Sequence, residues 1–177
     1  MRHPSQPCSP SCSPGVLLPR IIAHENRCIP RLCTQLCLTG LPECACKPLC
    51  LRSLQPCLQP PEWKLCGAAD ACGRVQMQIR IPVTATLCDS CGNCTCASGV
   101  VEASVFLSKA FADQACRHLH IEPRLQLLCA EASCTPGCYD VQLHLSLEIY
   151  LLKLEAFASH PPKPACPTLP LYPPPMR

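Results

Sequence analysis

Between Val75 and Leu87 apolar and polar residues alternate without a break, with Val75, Met77, Ile79, Ile81, Val83, Ala85 and Leu87 set against Gln76, Gln78, Arg80, Pro82, Thr84 and Thr86. Successive side chains of a strand point to opposite faces, so a period of two over this length specifies a β-strand with one face buried and one in water. The run continues into Cys88-Asp-Ser-Cys91-Gly-Asn-Cys94-Thr-Cys96 and returns through Val101, Ala103, Val105 and Leu107. Residues 74–107 therefore read as a β-hairpin with a cysteine cluster at its tip. A two-residue Gly92-Asn93 turn would set Cys91 opposite Cys94 and put the odd, apolar positions of the second strand on the wrong face. One extra residue has to be absorbed, either in a longer turn or in a bulge at Ser98-Gly99.

The same alternation returns near the end of the chain, where Val141, Leu143, Leu145, Leu147, Ile149 and Leu151 are interleaved with Gln142, His144, Ser146, Glu148 and Tyr150. Arg124–Glu131 gives a further strand, joined to this one through the Pro136-Gly137 turn of Cys134-Thr-Pro-Gly-Cys138. Residues 108–120 hold good helix formers and suit a short helix or an irregular crossing. The expected fold class is mainly β: a small antiparallel sheet or sandwich of about four strands spanning 74–157.

The flanks have a different character. The 177 residues include 22 prolines and 20 cysteines. Residues 1–20 read as a disordered Ser/Pro/Cys arm carrying Cys8 and Cys12. Residues 21–73 read as an irregular Cys/Pro-rich module, since neither helical nor strand periodicity is visible across its prolines. Residues 158–177, with Cys166, read as a polyproline-like tail. Aromatic residues make up only 4%, so the core should be aliphatic and modest, with crosslinks or a metal supplementing it.

Composition narrows the function classes. A net charge of +3, without basic runs interleaved with aromatics, gives no expectation of a nucleic-acid partner. No apolar run reaches the roughly 18 residues of a spanning helix, so no membrane span is expected. The first residues lack a secretory h-region, which points to cytoplasmic synthesis. That creates a conflict, because disulfide scaffolds belong to oxidising compartments and clustered cytosolic cysteines more often hold metal.

Two chemical readings of the thiols follow. Cys88, Cys91, Cys94 and Cys96 are candidate ligands for a tetrahedral zinc, although a two-knuckle site spaces its pairs more widely. Cys8, Cys12 and Cys166, on the arms, are candidate crosslinking residues. Cys116-x-His118-x-His120 presents alternating donors that a strand could aim at one metal, and is otherwise a pair of surface histidines. His144 reads as a solvated residue. No catalytic triad or glycine-rich phosphate loop can be assembled, so neither an enzyme nor a small-molecule substrate is expected.

The Cys/Pro-rich arm, the stretch Ile79-Arg-Ile-Pro-Val-Thr-Ala-Thr-Leu-Cys-Asp-Ser-Cys-Gly-Asn and the closing Tyr139-Asp-Val-Gln-Leu-His-Leu-Ser-Leu-Glu-Ile-Tyr together resemble small cysteine-rich proteins of spore-forming Firmicutes of the clostridial group. The β part, 74–157, is similar to the β domains of spore-coat assembly proteins. This resemblance implies a component made inside a cell and crosslinked later, with further copies or other coat proteins as partners. It favours a structural, self-associating, disulfide-crosslinked component of a spore coat or similar layer, with no cofactor. The alternatives are a cytosolic zinc-binding module and a disulfide-stapled interaction domain.

Overall fold

The structure, a computed structural model, describes residues 16–41, 49–112 and 118–157. The candidate crosslinking residues Cys8, Cys12 and Cys166, most of the arm and the whole Pro-rich tail lie outside the described residues, as does Cys116. The chain divides into two compact units, Arg20–Lys153 and a second made of Met1–Pro19 with Leu154–Arg177. Of the second, only the outer ends of the first and last strands are described, and the architecture below is that of the first.

Among the described residues there are seven strands: β1 (Val16–Cys37), β2 (Cys50–Pro56), β3 (Glu62–Cys66), β4 (Val75–Cys88), β5 (Cys94–Leu107), β6 (His118–Ala132) and β7 (Cys138–Phe157). They form two antiparallel sheets. One has three strands in the order β1-β7-β6; the other has four, with β4 at its centre. The mainly β, antiparallel class expected from the alternation is the class observed.

Strand β4 is the spine of the larger sheet. One edge pairs with β5 in unbroken register from Val75↔Leu107 to Cys88↔Cys94. The other edge pairs with β3 opposite Gln76–Arg80 and with β2 opposite Val83–Cys88. Pro82 sits in the gap between these two partners. Its carbonyl accepts the Cys57 N–H at 2.9 Å, and in an antiparallel ladder the N–H that proline lacks would point to the same side. A central strand thus tolerates a proline where its neighbour leaves the sheet.

The extra residue at the hairpin tip is absorbed by the longer turn, Asp89–Asn93, and Cys94 faces Cys88 rather than Cys91. Gly99 makes no bulge; it lies in register opposite Val83. Its role is close approach. A Cβ there would stand 2.8 Å from Leu36 Cδ1, 3.0 Å from Leu38 Cδ2 and 3.3 Å from the Cys37 carbonyl oxygen. This is where the chain leaves β1 and crosses to the other sheet, Thr39 exchanging backbone hydrogen bonds with Ser98 at 2.8 and 3.0 Å.

Residues 21–73 are not irregular throughout, because β2, β3 and most of β1 fall within them, and β1 starts at Val16, so residues 16–20 of the expected disordered arm are strand. The described prolines of residues 21–73 occupy places where a missing N–H costs little. Pro30 lies on β1, an outer strand of its sheet, Pro56 closes β2, and Pro60 and Pro61 lie in the step between β2 and β3. The strand count rises accordingly from about four to seven. In the 108–120 stretch, where a short helix or an irregular crossing is expected, the described residues form a 3₁₀ turn at Lys109–Phe111 and the start of β6 at His118, while residues 113–117 lie outside them.

Every odd residue of β4 from Val75 to Leu87 is buried, as are Val141 to Leu151 at odd positions of β7. They join Leu36, Leu51, Leu54, Val101, Val105 and Ile121 in a single aliphatic cluster shared by the two sheets. At roughly 1.5–3 kcal/mol for each fully buried Leu, Ile or Val side chain, this burial is the main force holding the sheets together. Phe111 and Tyr139 are the aromatic members.

Candidate crosslinking surface

Free cysteine behaves as a small hydrophobe and ranks among the most buried residue types. Here the distribution is inverted. Among the described residues two disulfides, Cys37–Cys138 and Cys88–Cys94, are formed. Of the ten free cysteines among the described residues, eight are exposed, Cys57 and Cys66 are half-buried, and none is in the core. Strand alternation is the cause. The thiols of Cys28, Cys50, Cys96 and Cys129 sit on the polar side of their strands while Leu, Ile and Val take the inner side.

Two of the exposed thiols are carried by loops of the same construction at the two ends of β4. In Asp89-Ser-Cys91-Gly92-Asn93, the Asp89 carboxylate accepts the N–H groups of Cys91 and Asn93, each at 2.9 Å, and the Asn93 side-chain amide at 3.0 Å. In Asp70-Ala-Cys72-Gly73-Arg74, Asp70 accepts the N–H groups of Cys72 and Arg74 at 2.9 and 2.8 Å, and the Arg74 guanidinium at 2.9 Å. Each loop closes with a glycine at positive φ, Gly92 at 85° and Gly73 at 76°, a conformation that a Cβ would strain. The bond from the Asn93 side chain holds the Asp89 carboxyl below the usual range, and the Arg74 N–H does the same for Asp70. Each loop presents one cysteine to solvent on a braced turn.

The outer face of the four-stranded sheet carries residues in rows across β4. Arg80 lies between Glu62 at 3.1 Å and Glu102 at 3.0 Å, an exposed ion ladder of the kind that contributes about 0–1 kcal/mol per pair. Toward the Asp89 loop, a second row consists of sulfur, because Cys50 pairs with Cys88 across β2–β4 and Cys88 with Cys94 across β4–β5.

The outer face of the three-stranded sheet is a polar ladder along β7. The His144 Nε2 lies 3.4 Å from the Cys28 sulfur on β1. The Gln142 side chain donates to Cys33 on β1 at 3.5 Å and accepts from Cys129 on β6 at 3.9 Å. Glu148 accepts from His24 at 2.5 Å and from Asn26 at 2.6 Å. These bonds, that from His24 first, hold its carboxyl below the ordinary value. Tyr150 stacks on His24 with ring centroids 4.8 Å apart.

The four cysteines expected as zinc ligands do not converge. Register opposes Cys88 and Cys94, which are bonded to each other; Cys91 sits in the loop braced by Asp89, and Cys96 lies farther along β5 opposite Thr86. Among the described residues no group of three or more His, Cys, Asp or Glu is placed to hold a metal ion. His118 and His120 are exposed on β6, His120 lying 3.2 Å from Glu122. His144 is half-buried, with a cysteine for a partner.

Sequence reasoning missed the repeated Asp-x-Cys-Gly tetrapeptide at 70–73 and 89–92, which is legible as a pair of Asx turns. It also missed Cys28, whose pairing with His144 joins residues 116 positions apart and leaves no local trace. Compared with protein-family models, with curated proteins and with solved structures, the chain matches none.

Proposed function

We propose that this chain is a structural, self-associating protein whose copies are joined by disulfides, a component of a spore coat or a similar surface layer rather than an enzyme. One observation carries the reading: among the described residues the free thiols lie on outer faces and loop tips, and none is in the core. A cysteine that contributes nothing to packing is available for covalent chemistry between molecules. The aliphatic cluster supplies a body that needs none of these thiols to hold its sheets together. In this reading the arm cysteines Cys8, Cys12 and Cys166 add reach, and the partners are further copies or other proteins of the layer.

The test is oxidation of the fully reduced, purified chain with a thiol oxidant, followed by alkylation and electrophoresis without reductant. A ladder of covalent oligomers that collapses to monomer on reduction is expected. Monomer as the sole product over a wide range of protein concentration would overturn the reading.

A further inference from the structure

Three sulfurs in one row across three adjacent strands are a reactive arrangement. Cys50 on β2 pairs with Cys88 on β4, and Cys88 pairs with Cys94 on β5. Directly opposed residues of an antiparallel pair share a face, with Cβ atoms about 4.5–5.5 Å apart. Cys88 and Cys94 form a disulfide, while Cys50 is free and exposed beside it. Exchange at a disulfide requires a thiolate, a central sulfur and a departing sulfur roughly in line. The order β2-β4-β5 supplies them in that sequence, running across the sheet. The row is also held at its entry, since the Tyr139 hydroxyl donates to the carbonyl of Leu49 at 3.1 Å, fixing the residue before Cys50.

We infer that Cys50, Cys88 and Cys94 constitute a thiol–disulfide exchange site whose substrate is the Cys88–Cys94 disulfide, first of the same molecule and then of a second copy. Cys50 loses its proton to solvent and its thiolate attacks the Cys88 sulfur. The Cys50–Cys88 bond forms, the Cys88–Cys94 bond breaks, and Cys94 leaves with the electron pair as a thiolate on the exposed end of β5. The step is neutral in electrons and needs no oxidant. The second stage rests on the self-association proposed above. The Cys94 thiolate attacks Cys88 of the next copy, joins the two molecules, and releases that copy's Cys94 as a new thiolate. One disulfide per molecule then suffices to propagate crosslinks.

The experiment uses the full chain carrying the Cys88–Cys94 disulfide, held without air or added oxidant, quenched in acid, alkylated and mapped by mass spectrometry of disulfide-linked peptides. Cys50–Cys88 peptides are expected beside Cys88–Cys94 peptides, in a ratio independent of dilution. Cys50→Ser should leave only Cys88–Cys94 and slow alkylation of Cys94 by at least about tenfold. Cys94→Ser, oxidised at low concentration, should form Cys50–Cys88 directly. Finding Cys50 fully alkylated in the unsubstituted protein, or no Cys50–Cys88 bond in Cys94→Ser, would overturn the site. Peptides from the unsubstituted protein decide between these outcomes even if a variant folds poorly. Internal exchange without covalent oligomers would uphold the site and count against self-association. Oligomers without internal exchange would do the reverse.

Discussion

The Cys28 sulfur and the His144 Nε2 lie 3.4 Å apart across the β1–β7 pair, on the outer face of the three-stranded sheet. An imidazole at that range can take the thiol proton as the sulfur attacks an electrophile. Cys28 is therefore expected to be alkylated faster than Cys33, whose neighbour is the amide of Gln142. Replacing His144→Asn should slow alkylation of Cys28 by at least about threefold and leave Cys33 unchanged. Peptide-resolved labelling with iodoacetamide reads both rates, and equal slowing at the two sites would remove the special role of the pair.

Gly99→Ala tests the crossing between the sheets. The added carbon meets Leu36, which is fully buried, and the carbonyl of Cys37, so neither neighbour can swing into solvent. A loss of about 1–3 kcal/mol is expected from overpacking, measured by denaturant unfolding. A neutral result would mean that the Leu36–Leu38 segment moves readily.

The two disulfides should differ in worth. Cys37–Cys138 closes a separation of 101 residues and Cys88–Cys94 one of 6. On the chain-entropy account the first restrains the unfolded chain by about 4.7 kcal/mol and the second by roughly 2 kcal/mol. A Cys37→Ala, Cys138→Ala double variant should accordingly lose more stability than a Cys88→Ala, Cys94→Ala one. Calorimetry on the two, each oxidised at its remaining pair, makes the comparison.

Acid sensitivity should track Glu148. Its carboxyl is held below the ordinary value of 4.5 by the bonds from His24 and Asn26. A carboxyl with a depressed folded value binds fewer protons in the native state, so its contribution is complete above 4.5 and disappears as pH falls through the lowered value. Arg124 adds a favourable charge, and Glu122 lies opposite on β6. Urea midpoints of Glu148→Gln should fall less steeply on acidification than those of the unsubstituted chain. Parallel curves would place the acid response elsewhere.

What could be read in advance followed burial. In β4, β5 and β7 the buried face is apolar and, Tyr139 apart, free of aromatic residues, so alternation is plain in the letters and the buried positions follow from it. Strand β1 hides because its inner side includes charge. Glu25 pairs there with Arg27 and accepts the N–H of Ser108 at 3.1 Å, tying the strand to the start of the 3₁₀ turn. Strand β2 hides because its register shifts between Leu51 and Ser53, which breaks the period of two. Strand β3 is short and mostly exposed. The thiol partnerships were opaque for a different reason: Cys37 with Cys138 and Cys28 with His144 depend on how β1 is laid beside β7.

The two Asp-braced loops at the ends of β4 have a consequence of their own. A strand of 14 residues at about 3.3 Å per residue separates Cys72 from Cys91 by roughly 45 Å. In the language of polymer chemistry, a molecule with one reactive group at each end is a bifunctional monomer, and bifunctional monomers grow only into linear chains. Every additional exposed thiol that reacts raises the functionality above two and introduces a branch point. Beyond a threshold extent of reaction such a system gels. The extent of thiol oxidation, rather than the amount of protein made, would then decide whether the product is a thread or a sheet-like solid.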